Sequence, residues 1–305
     1  MNLSTARTST SFNVLRRREA IAAYLFLLPT LIGFVIFVLG PTLAAIGLSL
    51  FDWNLISKPT YIGLDNYRKL LDDTRIQPIY MTTITIALRV VICNVVLGLV
   101  IAVLLDQKMP GFFRQVFRLS YFFPYVVSVS AVALIWTFLM NKSLGPLNYY
   151  LGQLGIKPIP WLVSSTWSPI AIVITDVWKN LGFNVIVFLG GLQGISLDLY
   201  EAADVDGASG WQKFRKITLP LLSPTTFFLT VINLINAFQI FAQPYILTQG
   251  GPGDATRTVV MYIYEQGFRF FNMGYASTIA LSLFVIILVL TLLQFALSKR
   301  WVFYQ

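Results

Sequence analysis

The sequence contains no histidine and only one cysteine, Cys93, among its 305 residues. Without histidine it lacks the commonest general base and metal ligand of enzymes, and one cysteine excludes an intrachain disulfide. It also has no G-x-x-x-x-G-K-[ST] loop for nucleotide phosphates, and neither a G-x-S-x-G nor an H-E-x-x-H motif. We therefore expect no catalytic residues, no metal site and no nucleotide site on this chain.

Charged residues are also scarce. They make up 11% of the chain, against 56% hydrophobic residues, whereas soluble domains average roughly 25% charged. The apolar residues form six blocks, each about long enough to cross a bilayer as a helix. The sequence therefore predicts an all-α polytopic membrane protein: a tail at 1–20, a transmembrane domain at 21–300 and a tail at 301–305, with spans at about 21–50, 80–105, 119–140, 168–193, 221–243 and 274–298.

The distribution of Lys and Arg predicts the orientation. These residues are more frequent on the short pieces at 1–20, 106–118, 194–220 and 299–305 than on the longer loops between the other span ends. Under the positive-inside rule this places both termini in the cytoplasm. The net charge of +9 is then a feature of membrane topology, and we expect membrane lipid, and no nucleic acid, around the chain.

One charged stretch, EAADVDGASGWQKFRKITLP at 201–220, separates the fourth and fifth spans. Glu201, Ala202 and Ala203 favour a helix, and Gly207 interrupts it because glycine tolerates positive φ. Ser209 is placed to cap a second short helix. Two short helices hinged at glycine, with small alanines and with aromatic side chains at 211 and 214, suit a docking element for a cytoplasmic partner. A solvated loop helix is the alternative.

Polar side chains inside spans four and five share helix faces. Two functions remain open for them: lining a cavity, where amides suit sugar hydroxyls, or bonding packed helices together. The candidates for the pathway are Asn180, Phe183, Asn184, Asn233, Asn236, Ala237 and Ile240. Asp176 and Lys179, spaced i and i+3, are predicted to form a structural ion pair. Arg89 has no partner nearby in sequence, and Asp176 is its candidate partner.

Several motifs resemble one known family. The pattern E-A-A-x-x-x-G, followed by nine residues and I-x-L-P, matches 201–220 without a gap. It resembles the EAA loop of bacterial ABC-importer permeases. The segments 61–67 (YIGLDNY), 247–252 (LTQGGP) and 275–277 (YAS) resemble the carbohydrate-uptake branch typified by the maltose permease subunits, in particular the first permease of the pair. The similarity covers about 20–300.

The resemblance implies a type I ABC importer permease fold in the bacterial inner membrane. It implies a second homologous permease, two ATPase subunits that bind ATP and Mg, and an extracytoplasmic sugar-binding protein, with no cofactor on this chain. The coupling loop would be 198–220, and the residues implied in coupling are Glu201, Ala202, Ala203, Asp206, Gly207, Trp211 and Phe214. One departure is Ala242, where relatives often carry an acid after F-x-x-F, so the sugar site is not expected to copy that of maltose permease closely.

A secondary transporter and a membrane enzyme are the two alternative classes of function. A secondary transporter working alone would need a coupling ion and no ATPase, and a polytopic membrane enzyme would need a catalytic cluster. The EAA loop argues against both. Which sugar is carried, or whether a glycerol phosphodiester or another polyol-like cargo replaces it, stays open. The outer loop at 244–273 is expected to contact the binding protein.

Overall fold

The computed structural model describes residues 6–107 and 111–303. Five helical segments in this part of the chain are long and apolar enough to cross a membrane, as the sequence predicted for five of its six blocks. Their bounds are Arg17–Leu48, Ile76–Asp106, Trp167–Gln193, Ser223–Leu247 and Met273–Ser298. Following the charge-derived orientation, we call the end of the bundle that carries 194–220 the inner end and the opposite end the outer end.

The helices follow one another with short connections and one small hairpin of two strands, β1 and β2. The helices are α1 Ala6–Phe34, α2 Gly40–Leu48, α3 Asp65–Asp72, α4 Ile76–Asp106, α5 Gly111–Val126, α6 Val129–Leu139, α7 Pro146–Gln153, α8 Trp167–Gln193, α9 Leu197–Val205, α10 Gly210–Lys213, α11 Leu219–Leu221, α12 Ser223–Phe238, α13 Ala242–Leu247, α14 Val259–Tyr264 and α15 Met273–Ser298. The strands are β1 Phe51–Asp52 and β2 Thr60–Tyr61, which pair antiparallel.

The third predicted span, 119–140, is not one continuous helix. It is broken into α5 and α6, which meet at an angle of 111°, because Ser128 adopts an extended ψ of 134° between them. The pair still crosses the membrane. Thr82 of α4 lies near Thr166 in one cavity, and farther along both helices Gly98 lies against Asn184, so α4 and α8 run in the same direction. The chain must therefore return to the outer end between them.

The centre of the bundle is formed by α4, α8 and α12. A stripe along α4 is buried, and it includes Ile86, Val90, Gly98 and Ala102. The small residues let helices approach closely, as is common in membrane bundles. A Cβ added at Gly98 would lie 2.8 Å from the Cβ of Asn184. Helix α5 crosses α8 more closely still, at Gly182, where a Cβ would lie 1.9 Å from the carbonyl oxygen of Tyr121.

The first span stands apart from this centre. None of its most apolar stretch, within Arg17–Leu48, is buried by the rest of the described chain. The backbone is helical from Ala6, so most of the predicted tail at 1–20 continues the helix of the first span. Residues 1–5, and residues 304–305 of the predicted C-terminal tail, lie outside the described residues.

Two motifs that carried the family resemblance meet at the outer end. Asn66, in the 61–67 segment, donates from Nδ2 to the carbonyl oxygens of Ser49 and Phe51 at 2.9 and 3.0 Å. Gly274, which precedes the 275–277 segment, lies so close that a Cβ there would be 1.8 Å from the Phe51 oxygen. These motifs therefore join the outer end of the first span to the outer end of the last one.

Candidate functional site

A cavity of about 130 Å³ lies between α4, α5, α8 and α12, near the middle of the bundle. Six of the seven pathway residues predicted from the sequence line it, and the full lining is Val90, Tyr125, Asp176, Asn180, Phe183, Asn184, Ile232, Asn233, Asn236 and Ala237. We call it the amide cavity. The structure therefore brings together the polar faces of spans four and five, as the helical spacing indicated.

Ile240 is the exception among the predicted pathway residues. Helix α12 ends at Phe238, so the helical spacing that put Ile240 on the face of Asn233 and Asn236 does not reach it. Ile240 is 5% exposed and belongs to the hydrophobic core. Its carbonyl oxygen accepts a 2.9 Å hydrogen bond from the hydroxyl of Thr258, which ties the end of α12 to the start of α14.

Two of the cavity's amides also bond helices together. Asn233 donates from Nδ2 to Asn184 Oδ1 at 2.7 Å and to the Leu229 carbonyl oxygen at 2.8 Å. Asn184 donates to the Asn180 carbonyl oxygen at 3.0 Å. Both side chains are buried. The Asn184–Asn233 bond links α8 to α12, so both functions left open by the sequence apply to these two residues.

The open wall of the amide cavity is formed by less buried groups. Asn236 is exposed, and its side chain forms no hydrogen bond with any residue that the structure describes. Phe183 stacks on Tyr125 with ring centroids 5.3 Å apart. The sequence analysis missed Tyr125, since it lies in the broken third span and no helical periodicity linked it to α8. An aromatic pair in the same cavity as the unbonded amide of Asn236 suits a ligand with an apolar face and hydroxyl edges.

The predicted ion pair between Asp176 and Lys179 is not formed. Asp176 instead accepts hydrogen bonds from Asn180 Nδ2 at 3.0 Å and from Gln243 Nε2 at 2.9 Å. Lys179 donates from Nζ to the Tyr125 carbonyl oxygen at 3.1 Å. That carbonyl is in the last turn of α5, where helix carbonyls lack intrahelical partners and favour a cation. Lys179 therefore bonds to a carbonyl oxygen at the end of α5, and the side-chain amides of Asn180 and Gln243 bond to the carboxylate of Asp176.

Arg89 does not pair with Asp176 either. Within the described chain no Asp or Glu oxygen lies within 4 Å of its guanidinium. The side chain lines a second, larger cavity of about 340 Å³ near the outer end. The carboxylate and the arginine thus belong to two separate polar regions of α4 and α8.

The predicted docking element forms a helical hairpin of α9 and α10 at the inner end. Gly207 has φ +72°. The N–H of Gly207 bonds to the Asp204 oxygen, and the N–H of Ala208 to the Ala203 oxygen, at 3.0 and 2.9 Å, which is the Schellman termination of a helix. Ser209 then caps α10 through a capping box with Gln212. The hinge and the cap predicted from the sequence are both present.

A salt bridge closes the hairpin, because Lys213 Nζ lies 2.6 Å from Asp204 Oδ1. Glu201, Ala202, Asp206 and Gly207 are exposed, and Ala203 is half-buried. Trp211, 69% exposed, and Phe214 line an apolar groove of about 320 Å³ against the inner part of α4, which contributes Leu99, Val100, Val103 and Leu104. The two aromatic rings therefore line a groove against α4, while Glu201 and Ala202 of α9 are exposed.

A polar network at the outer end was not found from the sequence, because it joins residues far apart in the chain. Asp73 Oδ2 accepts hydrogen bonds from the hydroxyls of Tyr262 and Tyr275 at 2.7 and 2.6 Å. Burial alone would raise the pKa of Asp73, but these bonds, with the N–H and charge of Arg75, hold it below its ordinary value. Burial, followed by the bond to Asp73, raises the pKa of Tyr262 to about 12.

Arginine pairs extend this outer network. Arg75 bonds to Asp254 Oδ2 at 2.9 Å, and Arg257 bonds to Asp254 Oδ1 at 2.6 Å. Arg257 also pairs with the buried carboxylate of Glu265. The network fixes the outer loop at 244–273 to the start of α4 and to the last span. The ion pairs and hydrogen bonds of this network therefore hold the outer loop in one position on the bundle.

The family to which the chain belongs is decided by comparison with known proteins. Residues 94–302, which include α5, α8 and α12 of the amide cavity and the inner hairpin, match the family model described as "Binding-protein-dependent transport system inner membrane component". The chain belongs to this family. It is therefore a multi-pass protein of the bacterial inner membrane and a permease component of an ABC importer.

Relatives over nearly the whole length agree with this assignment. The permease is 35% identical to the probable ABC transporter permease protein YurN of Bacillus subtilis, over 92% of this chain and 97% of that protein. It is 34% identical to the trehalose/maltose transport system permease protein MalF of Thermococcus litoralis, over 93% and 96% of the two chains.

A solved structure has the same fold. A chain of a bacterial alginate ABC transporter, crystallised with its periplasmic protein bound to an alginate pentasaccharide, superposes with a TM-score of 0.82. The two chains are 25% identical, and the match covers 93% of this permease and 96% of that chain. The type I ABC importer permease fold expected from the EAA motif is confirmed.

Proposed function

We propose that this permease pairs with a second homologous permease and two ATPase subunits to import a sugar or a polyol-like cargo that an extracytoplasmic binding protein delivers. One observation carries the proposal. The exposed hairpin of α9 and α10, followed by the short helix α11, connects α8 to α12 in the chain, and α8 and α12 supply most of the lining of the amide cavity. A displacement of the hairpin therefore moves the cavity's walls.

The hairpin has the properties of a coupling element. Its Schellman turn, its capping box and the Lys213–Asp204 bridge hold α9 and α10 in one arrangement. Because the hairpin is held in one arrangement, it would transmit a displacement of the ATPase to the spans that flank it. Glu201, Ala202 and Asp206 present an acidic, small-residue surface to the cytoplasm, where we place the ATPase cleft. ATP and Mg would be held entirely by that subunit.

The amide cavity supports a sugar-like cargo. Asn180 and Asn236 each carry both a donor and an acceptor, which matches hydroxyl groups. The Tyr125–Phe183 pair lies beside them, and an aromatic surface suits the apolar face of a sugar ring. The amide cavity, of about 130 Å³, would form one half of the pathway, and the second permease would supply the facing wall. The trehalose/maltose permease among its relatives supports the same class of cargo.

Purification of the tagged permease from its native membranes in mild detergent tests the proposal. Mass spectrometry of the co-purified proteins is expected to find a homologous permease in equal amount and an ATPase in twofold amount. Compounds extracted from the cognate binding protein are expected to be saccharides or polyols. Recovery of the permease without an ATPase, together with uptake that follows an ion gradient, would support the secondary transporter instead.

A further inference from the structure

A second polar cavity, of about 340 Å³, lies closer to the outer surface than the amide cavity. It is formed by the outer part of α4, the start of α8 and the loop before α14, and its polar lining consists of Thr82, Thr85, Arg89, Ser165 and Thr166. We call it the outer vestibule. Arg89 is the only ionisable group among its described lining residues. The sequence-based assignments of the pathway did not include it.

Arg89 is in an unusual position for an arginine. It lies about 20 Å along α4 from Ile76, at 1.5 Å per residue, and its side chain is exposed. A cation at this depth faces water or a counter-ion and avoids lipid. Other outer arginines have carboxylates: Arg68 pairs with Asp65, and Arg75 with Asp254. Arg89 makes no ion pair or hydrogen bond with a residue that the structure describes.

The surroundings of Arg89 favour an anion. Thr85 and Thr82 lie on the same side of α4, about one and two turns nearer the outside, and Ser165 and Thr166 line the same cavity. Hydroxyls can bond to either an anion or a sugar hydroxyl. None of the described residues that line the vestibule carries a carboxylate that would oppose an anion. Asp254, next to the lining residue Ala255, is already bonded by Arg75 and Arg257.

We propose that the outer vestibule binds an anionic group of the cargo, a carboxylate, sulfonate or phosphate, through the guanidinium of Arg89. The inference rests on the proposed import function and narrows its substrate class to acidic saccharides or polyols. The planar guanidinium offers paired donors to such an oxyanion. The residues of α8 that line the amide cavity lie roughly 10–20 Å farther inward than Pro169 and Ile170 of the vestibule. Arg89 directly precedes Val90 of the amide cavity on α4, so it lies at the inner end of the vestibule, beside the outer end of the amide cavity.

A lipid phosphate shares this chemistry, and the position of the cavity favours the cargo. The vestibule is walled partly by Ser165, Thr166 and Ala255, which belong to outer loops and not to a lipid-facing helix surface. The loop that contributes Ala255 is held by the outer arginine network. A cargo released at the outer end would therefore contact the preformed polar surface of the vestibule, which extends along α4 toward Arg89.

Saturation-transfer NMR tests the assignment with two matched probes, D-glucuronate and D-glucose. The full-length permease, with the subunits that co-purify with it, is placed in phosphatidylcholine nanodiscs and titrated with each probe. We expect glucuronate to bind about tenfold more tightly than glucose, the ratio that one charge-assisted pair supplies. Arg89→Gln should remove this preference and Arg89→Lys should keep part of it. Arg68→Gln, which removes an outer arginine away from the vestibule, should leave it unchanged.

Several results would overturn the assignment. Equal glucuronate affinity in wild type and Arg89→Gln would do so. So would the absence of a glucuronate preference in the wild type. The same titration in nanodiscs that contain phosphatidylglycerol tests whether the vestibule binds a lipid phosphate. The vestibule would be a lipid site if glucuronate no longer binds there, and if wild type but not Arg89→Gln retains phosphatidylglycerol.

The two proposals fail in different ways. Purification without ATPase subunits contradicts the import function whatever glucuronate does. Co-purification of those subunits, combined with no effect of Arg89→Gln on probe binding, removes only the vestibule assignment.

Discussion

Among single residues, the asparagines of the amide cavity differ in what holds them. Asn233 is buried and bonds both Asn184 and its own helix. Asn236, one turn along α12, is exposed and bonds to no described residue. The same chemical group therefore bonds two helices at one position and has no hydrogen-bond partner among the described residues at the other. Substitutions at the two positions should separate stability from transport.

We expect Asn236→Leu to raise the KM for uptake about fivefold, because one hydrogen bond to cargo is worth about 1 kcal/mol, and to leave the melting temperature unchanged. Asn233→Leu is the matched comparison. It should lower stability by about 0.6 kcal/mol and by no more than about 1.7 kcal/mol, the average and the maximum for hydrogen bonds between membrane helices. Uptake by reconstituted vesicles and thermal unfolding followed by tryptophan fluorescence measure both effects. Unchanged uptake kinetics for Asn236→Leu would place that side chain away from the pathway.

Among the helices, the contact between α5 and α8 fixes one wall of the cavity. Gly182 lies against the backbone of Tyr121, and one turn farther along α5, Tyr125 stacks on Phe183 and accepts the Lys179 bond through its carbonyl oxygen. The neighbouring backbone cannot move as a flexible side chain would. The close contact at Gly182 thus sets the position of Tyr125 relative to Phe183.

Gly182→Ala should therefore destabilise the permease by about 1–3 kcal/mol, the usual cost of overpacking, and should separate Tyr125 from Phe183. Gly190→Ala, on the same helix with nothing within 4 Å of an added Cβ, is the control and should be neutral or stabilising, since alanine favours helix by about 1 kcal/mol over glycine. Thermal unfolding of the two variants measures the difference. Equal melting temperatures would contradict the close contact.

Periodicity and local motifs made much of the fold predictable. Five spans followed from apolar length, and the Gly207 hinge and Ser209 cap followed from the chemistry of those two residues. The bend after α5 did not, because the break at Ser128 interrupts an apolar stretch that has no glycine there. The prediction of an Asp176–Lys179 ion pair was wrong for a related reason. The i and i+3 spacing does not reveal that Gln243 bonds to Asp176, or that the Tyr125 carbonyl oxygen bonds to Lys179. Long-range partners are invisible to local spacing.

Across the whole molecule, the outer network ties together parts of the chain that are far apart in sequence. Asp73 precedes α4, Tyr262 lies on α14 and Tyr275 begins the last span. A lowered carboxyl pKa in the folded state means that Asp73 stabilises the fold above its unfolded pKa, about 3.9. That contribution is lost as the pH falls through the lower, folded value.

The melting temperature should show this linkage. Wild type should be more stable than Asp73→Asn at pH 6, and the gap between them should shrink as the pH falls below about 4. Asp65→Asn, which removes a carboxylate paired on an exposed helix surface with Arg68, should change the melting temperature little at any pH. A gap between wild type and Asp73→Asn that stays constant from pH 6 to pH 3 would contradict the lowered pKa.

Coupling of an ATPase to the cavity through the hairpin of α9 and α10 can be tested by ATP hydrolysis of the reconstituted complex. Wild type should hydrolyse ATP faster when loaded binding protein is added. Glu201→Lys should insert, fold and bind cargo but lose this stimulation and uptake together, because it reverses the charge of the exposed face of α9. Glu19→Lys, a charge reversal in the N-terminal helix, should behave as wild type. Normal stimulation and transport by the Glu201→Lys complex would contradict the account.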